Sequence, residues 1–334
     1  MRTTINKSLG NHLLCAGVWA FSTLAAAAGE PAALVLSQSI ELPSVSGRLD
    51  HLTVNLGSGR VFVAALGANS VEVVDLRAGK RMARIQGLHE PQGVLYLPDL
   101  RRLLVANGSG GGVVAIEDGK PTATSSIELA DADNLRFDPV EGLVYAGYAH
   151  ALAVLDPAMI QIRGRIELAG HPEAFELERS GGRVYVNVPT AHHIAVVDRA
   201  SGKVAETWKV EGAGQNFAMA LDEPSKRLFV ATRQPAALLV FDTQTGKRTV
   251  QLPMCGDADD LFFDAQRRQL YAVCGEGVVQ IVHQRDADHY ETVGSISTSR
   301  GARTGLFVPS LSTLLVAAPA TPGSPAHLRA YSIK

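Results

Sequence analysis

A short apolar phrase recurs through this chain at an almost fixed interval. It reads Val61-Phe62-Val63-Ala64, Leu103-Leu104-Val105-Ala106, Leu143-Val144-Tyr145-Ala146 and Val184-Tyr185-Val186-Asn187. It continues as Leu228-Phe229-Val230-Ala231, Leu270-Tyr271-Ala272-Val273 and Leu314-Leu315-Val316-Ala317. The first residues are separated by 42, 40, 41, 44, 42 and 44 positions. A period near 40, made of short β-branched and aromatic runs between turns, is the pattern of an all-β propeller. Seven copies predict seven blades.

Each repeat divides into four short strands. In residues 175–214 the innermost begins at Phe175–Leu177, and Arg179-Ser180-Gly181-Gly182 is a turn. Arg183–Asn187 and Ile194–Val197 follow, then the turn Asp198-Arg199-Ala200-Ser201-Gly202-Lys203 and a last strand over Val204–Val210. The same Asp-to-Gly-Lys turn appears at Asp75–Lys80 and Asp242–Lys247. Its Asp can hydrogen-bond the turn backbone and its Gly can take positive φ. Blades two and three depart from the plan, with a degenerate third strand and following turn. The last repeat holds three strands, Gly305–Val308, Leu314–Ala317 and His327–Ile333. Leu34–Leu42 reads as a strand that supplies the missing outer one and closes the ring.

These phrases, together with Ser70-Val71-Glu72-Val73-Val74-Asp75 and the Gly-Lys turns, resemble the YVTN-type repeat. Over residues 33–334 the chain resembles the bacterial exported YVTN/YncE-like seven-bladed propellers. That resemblance implies a fold. It carries no shared catalytic motif onto this sequence, because a propeller hosts many functions.

The N-terminus reads as a signal peptide over residues 1–28. Arg2 and Lys7 precede an apolar stretch, Leu13–Leu24, and Ala25-Ala26-Ala27-Ala28 offers small-residue cleavage sites. Cys15 is a poor lipidation site, since Leu14 stands before it. The expected mature chain is a single propeller domain, residues 29–334, periplasmic or secreted, with no membrane span. With 31 Lys plus Arg against 33 Asp plus Glu, the chain lacks the basic excess of strong nucleic-acid binders. A closed ring needs no second copy, so a monomer is expected.

Cys255 and Cys274 enclose one hairpin. Export permits a disulfide between them; two buried free thiols are the alternative. Two thiols with no nearby His pair make a poor zinc site.

Candidate chemistry lies where loops converge at one end of the channel. Counting back from the phrase, the positions leading into the innermost strands are Asp50-His51, Gln92-Gly93, Asp133-Asn134, Glu173-Ala174, Phe217-Ala218, Asp259-Asp260 and Thr304-Gly305. His89, Asp131, His171, Gln215, Asn216, Asp257 and Arg303 lie just upstream. The expected ligand-binding set is Asp50, His51, Gln92, Asp133, Asn134, His171, Glu173, Asn216, Asp257, Asp259, Asp260 and Arg303. Asp50, Asp133, Glu173 and Asp259 hold equivalent positions in four blades. Converging carboxylates repel unless a cation, a proton or a basic group compensates.

Three readings follow. The ring is structural, hydrogen-bonding neighbouring blades and channel water. It holds a divalent cation, for which oxygen donors suit Ca²⁺, Mg²⁺ or Mn²⁺. Or it is catalytic. Asn69, Asn107, His150, His192, His193, Arg233 and Glu276 lie on loops of the same face; adjacent His192 and His193 would point to opposite sides of a strand. The run Ser109–Gly112 precedes no helix, so it is not a phosphate cradle.

The sequence holds no Gly-x-Ser-x-Gly, His-Glu-x-x-His or Cys-x-x-Cys-His. The leading expectation is a binding or scaffold protein that takes a small ligand or a periplasmic protein partner on this face. The alternative is a metal-dependent, lactonase-like hydrolase with Glu173, Asn134, Asn216 and Asp259 as ligands and His51 or His171 as base. An accessory subunit of a periplasmic redox enzyme is a third reading.

Overall fold

In the computed structural model, which describes residues 1, 3–4, 33–120 and 122–334, seven four-stranded antiparallel sheets form the propeller. Apart from residues 1 and 3–4, the signal-peptide segment, with Cys15 and the cleavage sites, lies outside the described residues. The recurring phrase is the second strand of every blade, as in Arg60–Ala65 and Arg183–Val188. Its residues are buried on both faces because each blade packs against two others, and this explains the unbroken apolar run where a solvated strand would alternate. Seven clusters of buried apolar side chains fill the seven blade-to-blade contacts.

The ring closes as the sequence predicts. Leu34–Leu42 pairs antiparallel with Ala326–Ile333, from Leu34 opposite Ile333 to Leu42 opposite Ala326, as the outer strand of blade seven. Leu42 is fully buried among residues of blades one and seven, including Leu52, Val61 and Leu315.

The turn chemistry also holds. Asp75 Oδ1 accepts hydrogen bonds from the backbone N–H groups of Arg77 (2.8 Å) and Ala78 (2.9 Å), and Asp242 Oδ1 from Gln244 and Thr245 (2.9 Å each). Blade three corrects the expectation of a degenerate third strand, which runs regularly over Ala151–Asp156. Asp156 Oδ1 caps the turn as in the other blades, accepting from Ala158 and Met159 at 3.0 Å. Ile160 takes the glycine's place at φ +52°, and its packing onto the core between blades two and three offsets the backbone cost. Blade two's third strand is regular too, over Val113–Glu117; what departs from the plan is the following turn, entered from Glu117 in place of an Asp, and an outer strand of only Ser125–Ile127.

Cys255 and Cys274 are joined, with Cα atoms 5.9 Å apart. The bond ties the approach to blade six's innermost strand, Ala258–Asp264, to the end of its second strand, Gln269–Cys274. On the chain-entropy view, a loop of this length stabilises by about 3 kcal/mol. Replacing both residues by Ser should lower the unfolding free energy by about that much in urea melts. A midpoint unchanged from the parent would show that the bond contributes nothing.

Candidate functional site

The innermost strands begin in an irregular way that sets the site. In blades two, three, five and six the register slips where the chain enters the sheet, between Pro91 and Val94, Ala132 and Leu135, Asn216 and Met219, and Ala258 and Asp260. Just upstream, Glu90, Asp131, Gln215 and Asp257 take positive φ. Such bulges re-aim side chains, and here they direct the polar residues of these blades toward the channel mouth or a neighbouring blade. Gly93 is required at one bulge, because a Cβ there would overlap the carbonyl oxygen of Asp133 in the next blade.

His51 is the centre of the mouth. Its Nδ1 lies 3.5 Å from Asp260 Oδ1, and its Nε2 lies 3.7 Å from Asp50 Oδ1 and 4.0 Å from Asp133 Oδ1. Burial opposes charge on the imidazole, yet Asp260, Asp50 and Asp133 push it up to about 10. These carboxylates thus favour the imidazolium form. Asp50 is 0 % exposed. Burial, with help from Asp133 and Asp259, pushes its carboxyl up to about 7 against the pull of His51 and Arg48. Arg48 Nη2 lies 2.6 Å from Asp50 Oδ2 and 3.8 Å from Asp259 Oδ2, which links blade one to blade six.

A second group surrounds Asp133. His171 Nε2 lies 3.9 Å from Asp133 Oδ2, and His171 Nδ1 lies 3.3 Å from Asp131 Oδ2 and 3.0 Å from the Ala149 carbonyl oxygen. Burial works against charge on this ring too, but Asp133, Asp131 and Glu173 push it up to about 9. Burial would raise Asp133; His171, His51 and Arg48 instead hold it below the usual carboxylate range. Glu173 is pushed up to about 8, first by burial and then by Asp133 and Asp259.

The third group belongs to blades five to seven. Arg233 Nη2 donates to Asp259 Oδ1 at 2.6 Å, and its Nε lies 3.3 Å from Asp257 Oδ1. Arg303 Nη2 lies 2.9 Å from Asp257 Oδ2. The Arg233 guanidinium also sits 3.8 Å over the Phe217 ring. Asp260 Oδ2 accepts from the Gly305 N–H at 2.8 Å, so one carboxylate serves both the mouth and the next blade.

Thus Asp50, His51, Asp133, His171, Glu173, Asp257, Asp259, Asp260 and Arg303 meet at the mouth. Other members of the expected set join neighbouring groups instead. The Asn216 amide nitrogen donates to Asn187 Oδ1 (2.9 Å) and the His193 carbonyl oxygen (3.2 Å), fastening blade five to blade four. Gln92 Nε2 reaches the Ala132 carbonyl oxygen at 3.5 Å, and Asn134 Oδ1 accepts from Arg136 at 3.4 Å. His192 ends a short 3₁₀ turn at φ +52°, and His193 begins the third strand of blade four. Arg48 was missed by counting back from the phrase, because it stands two residues before Asp50. Its sign, next to an acidic position, is the only local signal.

Seven carboxylates (Asp50, Asp131, Asp133, Glu173, Asp257, Asp259 and Asp260) face five cationic groups, Arg48, His51, His171, Arg233 and Arg303. Both carboxylate oxygens of Asp50 and Oδ1 of Asp133 are buried without a hydrogen-bond donor; the Arg48 contact to Asp50 is close but poorly directed. Among the described residues no three His, Cys, Asp or Glu side chains converge as a metal-ligand group. Of the four-residue set of the hydrolase reading, Asn216 has its amide nitrogen engaged between blades, while its amide oxygen, the atom that would bind a cation, is buried without a hydrogen-bond donor among the described residues. A more apolar cavity of about 280 Å³, lined by Phe62, Met82, Tyr96 and Ile116, opens between blades one and two away from the mouth.

No protein-family model matches the chain, and no curated protein does. Solved structures do. A chain of the hydrazine synthase of Kuenenia stuttgartiensis superposes with a TM-score of 0.70 at 18 % identity, over 82 % of this chain and 94 % of that one. A chain of the mitotic checkpoint complex superposes with a TM-score of 0.72 at 14 % identity, over 97 % of this chain and 99 % of that one. At such identities the likeness is one of fold, and the chain is a seven-bladed β-propeller.

Proposed function

We propose that this chain is an exported binding platform of the YVTN/YncE-like kind, whose channel mouth takes a positively charged ligand, either a small molecule or the basic segment of a protein partner. The observation that carries the reading is the surplus of carboxyl groups on a rigid ring: seven meet five cationic groups, and the two left without enough positive charge, Asp50 and Glu173, are raised to about 7 and about 8, so that an arriving cation would favour their ionised forms. Asp131 and Asp257 are the accessible members, with side chains 60 % and 35 % exposed. An excess of one sign in a walled cleft concentrates ligands of the other. The assembly of a similar propeller within the mitotic checkpoint complex supports a protein partner only in this general sense. The export reading rests on the sequence of residues 1–28 and is tested by N-terminal sequencing of the secreted protein.

The binding test is thermal melting with spermidine, with added divalent ions and in EDTA, alongside elemental analysis. Spermidine should raise the melting temperature of the parent, and the Asp131→Asn/Asp257→Asn pair should lose most of that rise. A stoichiometric metal whose removal by EDTA lowers the melting temperature would favour the metal-dependent hydrolase. No response to any cation would leave the mouth a structural charge network and end the platform reading.

A further inference from the structure

Next to the mouth the channel holds a cavity of about 310 Å³, to which all seven blades contribute and which His51 and Asp260 also line. One level of its wall is fixed by register. Thr53, Leu95, Arg136, Glu176, Phe262 and Leu306 each pair with the third residue of the second strand in their blade. All six line the cavity. This belt therefore holds one cation and one anion, on the adjacent blades three and four, in a wall that is otherwise apolar apart from Thr53.

The two charges do not join. Glu176 makes no ion pair or hydrogen bond among the described residues, although Arg136 and Arg179 both lie in its field. Burial raises the Glu176 carboxyl above its ordinary range. The Arg136 guanidinium donates to the Leu135 carbonyl oxygen at 3.1 Å and more weakly to Asn134 Oδ1 at 3.4 Å, and lies 5.7 Å from the centre of the Phe175 ring, but it meets no carboxylate among the described residues. Half-buried charges without a countercharge are costly unless something bridges them. Glu176 also lines two grooves that continue toward the turns opposite the mouth, and Arg136 lines one of them, so both groups stand where the cavity can be reached from that face.

We infer that the cavity binds a small zwitterion of amino-acid or betaine type, with its cationic group on Glu176, its carboxylate on Arg136, and its apolar part against Leu95, Phe262 and Leu306. The volume suits a ligand of this size, and a planar guanidinium suits a carboxylate. This inference rests on Arg136 and Glu176, which the reading of the mouth does not use, although His51 and Asp260 of the mouth line the same cavity.

The test is calorimetric titration with the free L-amino acids and glycine betaine, each amino acid run beside its N-acetylated and amidated counterparts. At least one zwitterion should bind, and its neutralised counterparts should bind at least about tenfold more weakly. Glu176→Gln is nearly isosteric, removes a half-buried charge, and should fold. It and Arg136→Gln should each weaken binding about tenfold or more. The paired reversal Arg136→Glu/Glu176→Arg should recover part of the loss, because the ligand can turn round. If Arg136→Gln fails to melt cooperatively, Leu306→Trp, which fills the cavity and leaves both charges, should abolish binding instead. Absence of binding by every zwitterion would overturn the inference. So would equal binding of the neutralised counterparts, or affinity unchanged in Glu176→Gln.

Discussion

A chain lacking residues 33–42 should fail to form a closed, monomeric ring. That segment covers the whole outer edge of Ala326–Ile333. It also buries Leu34, Ile40 and Leu42, at 6 %, 2 % and 0 % exposure. At about 1.5–3 kcal/mol for each buried aliphatic side chain, these three contribute roughly 5–9 kcal/mol, comparable with the whole stability of an ordinary domain. Deletion would also leave a long unpaired strand edge, which templates association between chains. The expected result is an aggregate or a non-cooperative melt by light scattering and circular dichroism. A monomer melting within about 2 °C of the parent would show that the seam carries little. The milder Leu42→Ala should cost about 2–5 kcal/mol, since Leu42 packs between blades one and seven.

His51→Ala should be the most damaging single change at the channel mouth. It removes a cation that lies within 4.0 Å of three buried carboxylates, Asp50, Asp133 and Asp260. Taking one partner from a buried pair costs about 3–5 kcal/mol, because an uncompensated charge stays behind. The cost should depend on pH. Asp50 at about 7 and Glu173 at about 8 are acids raised in the folded state, so stability is lost as pH climbs from ~4 to those values. His171 at about 9 and His51 at about 10 are raised bases, whose contribution is full below ~6.5 and is lost as pH rises through those values. Asp133 has the opposite sign, but its window lies below ~4. The parent should therefore be more stable at pH 5 than at pH 9 in urea melts. By the same linkage His51→Ala should cost most below pH ~6.5, where the imidazolium contributes fully, and should flatten the alkaline limb. Stability that rises from pH 5 to pH 9 would contradict this electrostatic account.

The network also bears on how the mouth could serve binding. Arg48 and Arg233 both contact Asp259, and Arg233 and Arg303 share Asp257. Four blades are thus coupled through charges at one end, while the blade-six disulfide anchors the loop that carries Asp257 and Asp259. A ligand therefore meets a surface whose groups are already positioned, and such preorganisation lowers the ordering cost of binding.

Much of the fold was legible in the chain itself. The apolar phrase, the Asp-Gly-Lys turns and the spare strand at Leu34–Leu42 are local signals, and strand pairing within each blade is local too. Hence seven blades and the closure of the ring followed from the sequence. Counting back from the phrase also found the mouth, with its carboxylates in equivalent positions. The pairing of those groups was not legible. Arg48 reaches Asp259 across the channel from far away in the chain, and no spacing rule predicts that contact. Asn216 looked like an equivalent polar residue, but the bulge after it turned its amide toward Asn187. Arg136 and Glu176 were unremarked strand residues until register set them at one level of the channel. Local periodicity determined which residues form strands, while bulges and ring closure, which bring distant segments within a few ångströms, decided which charges meet.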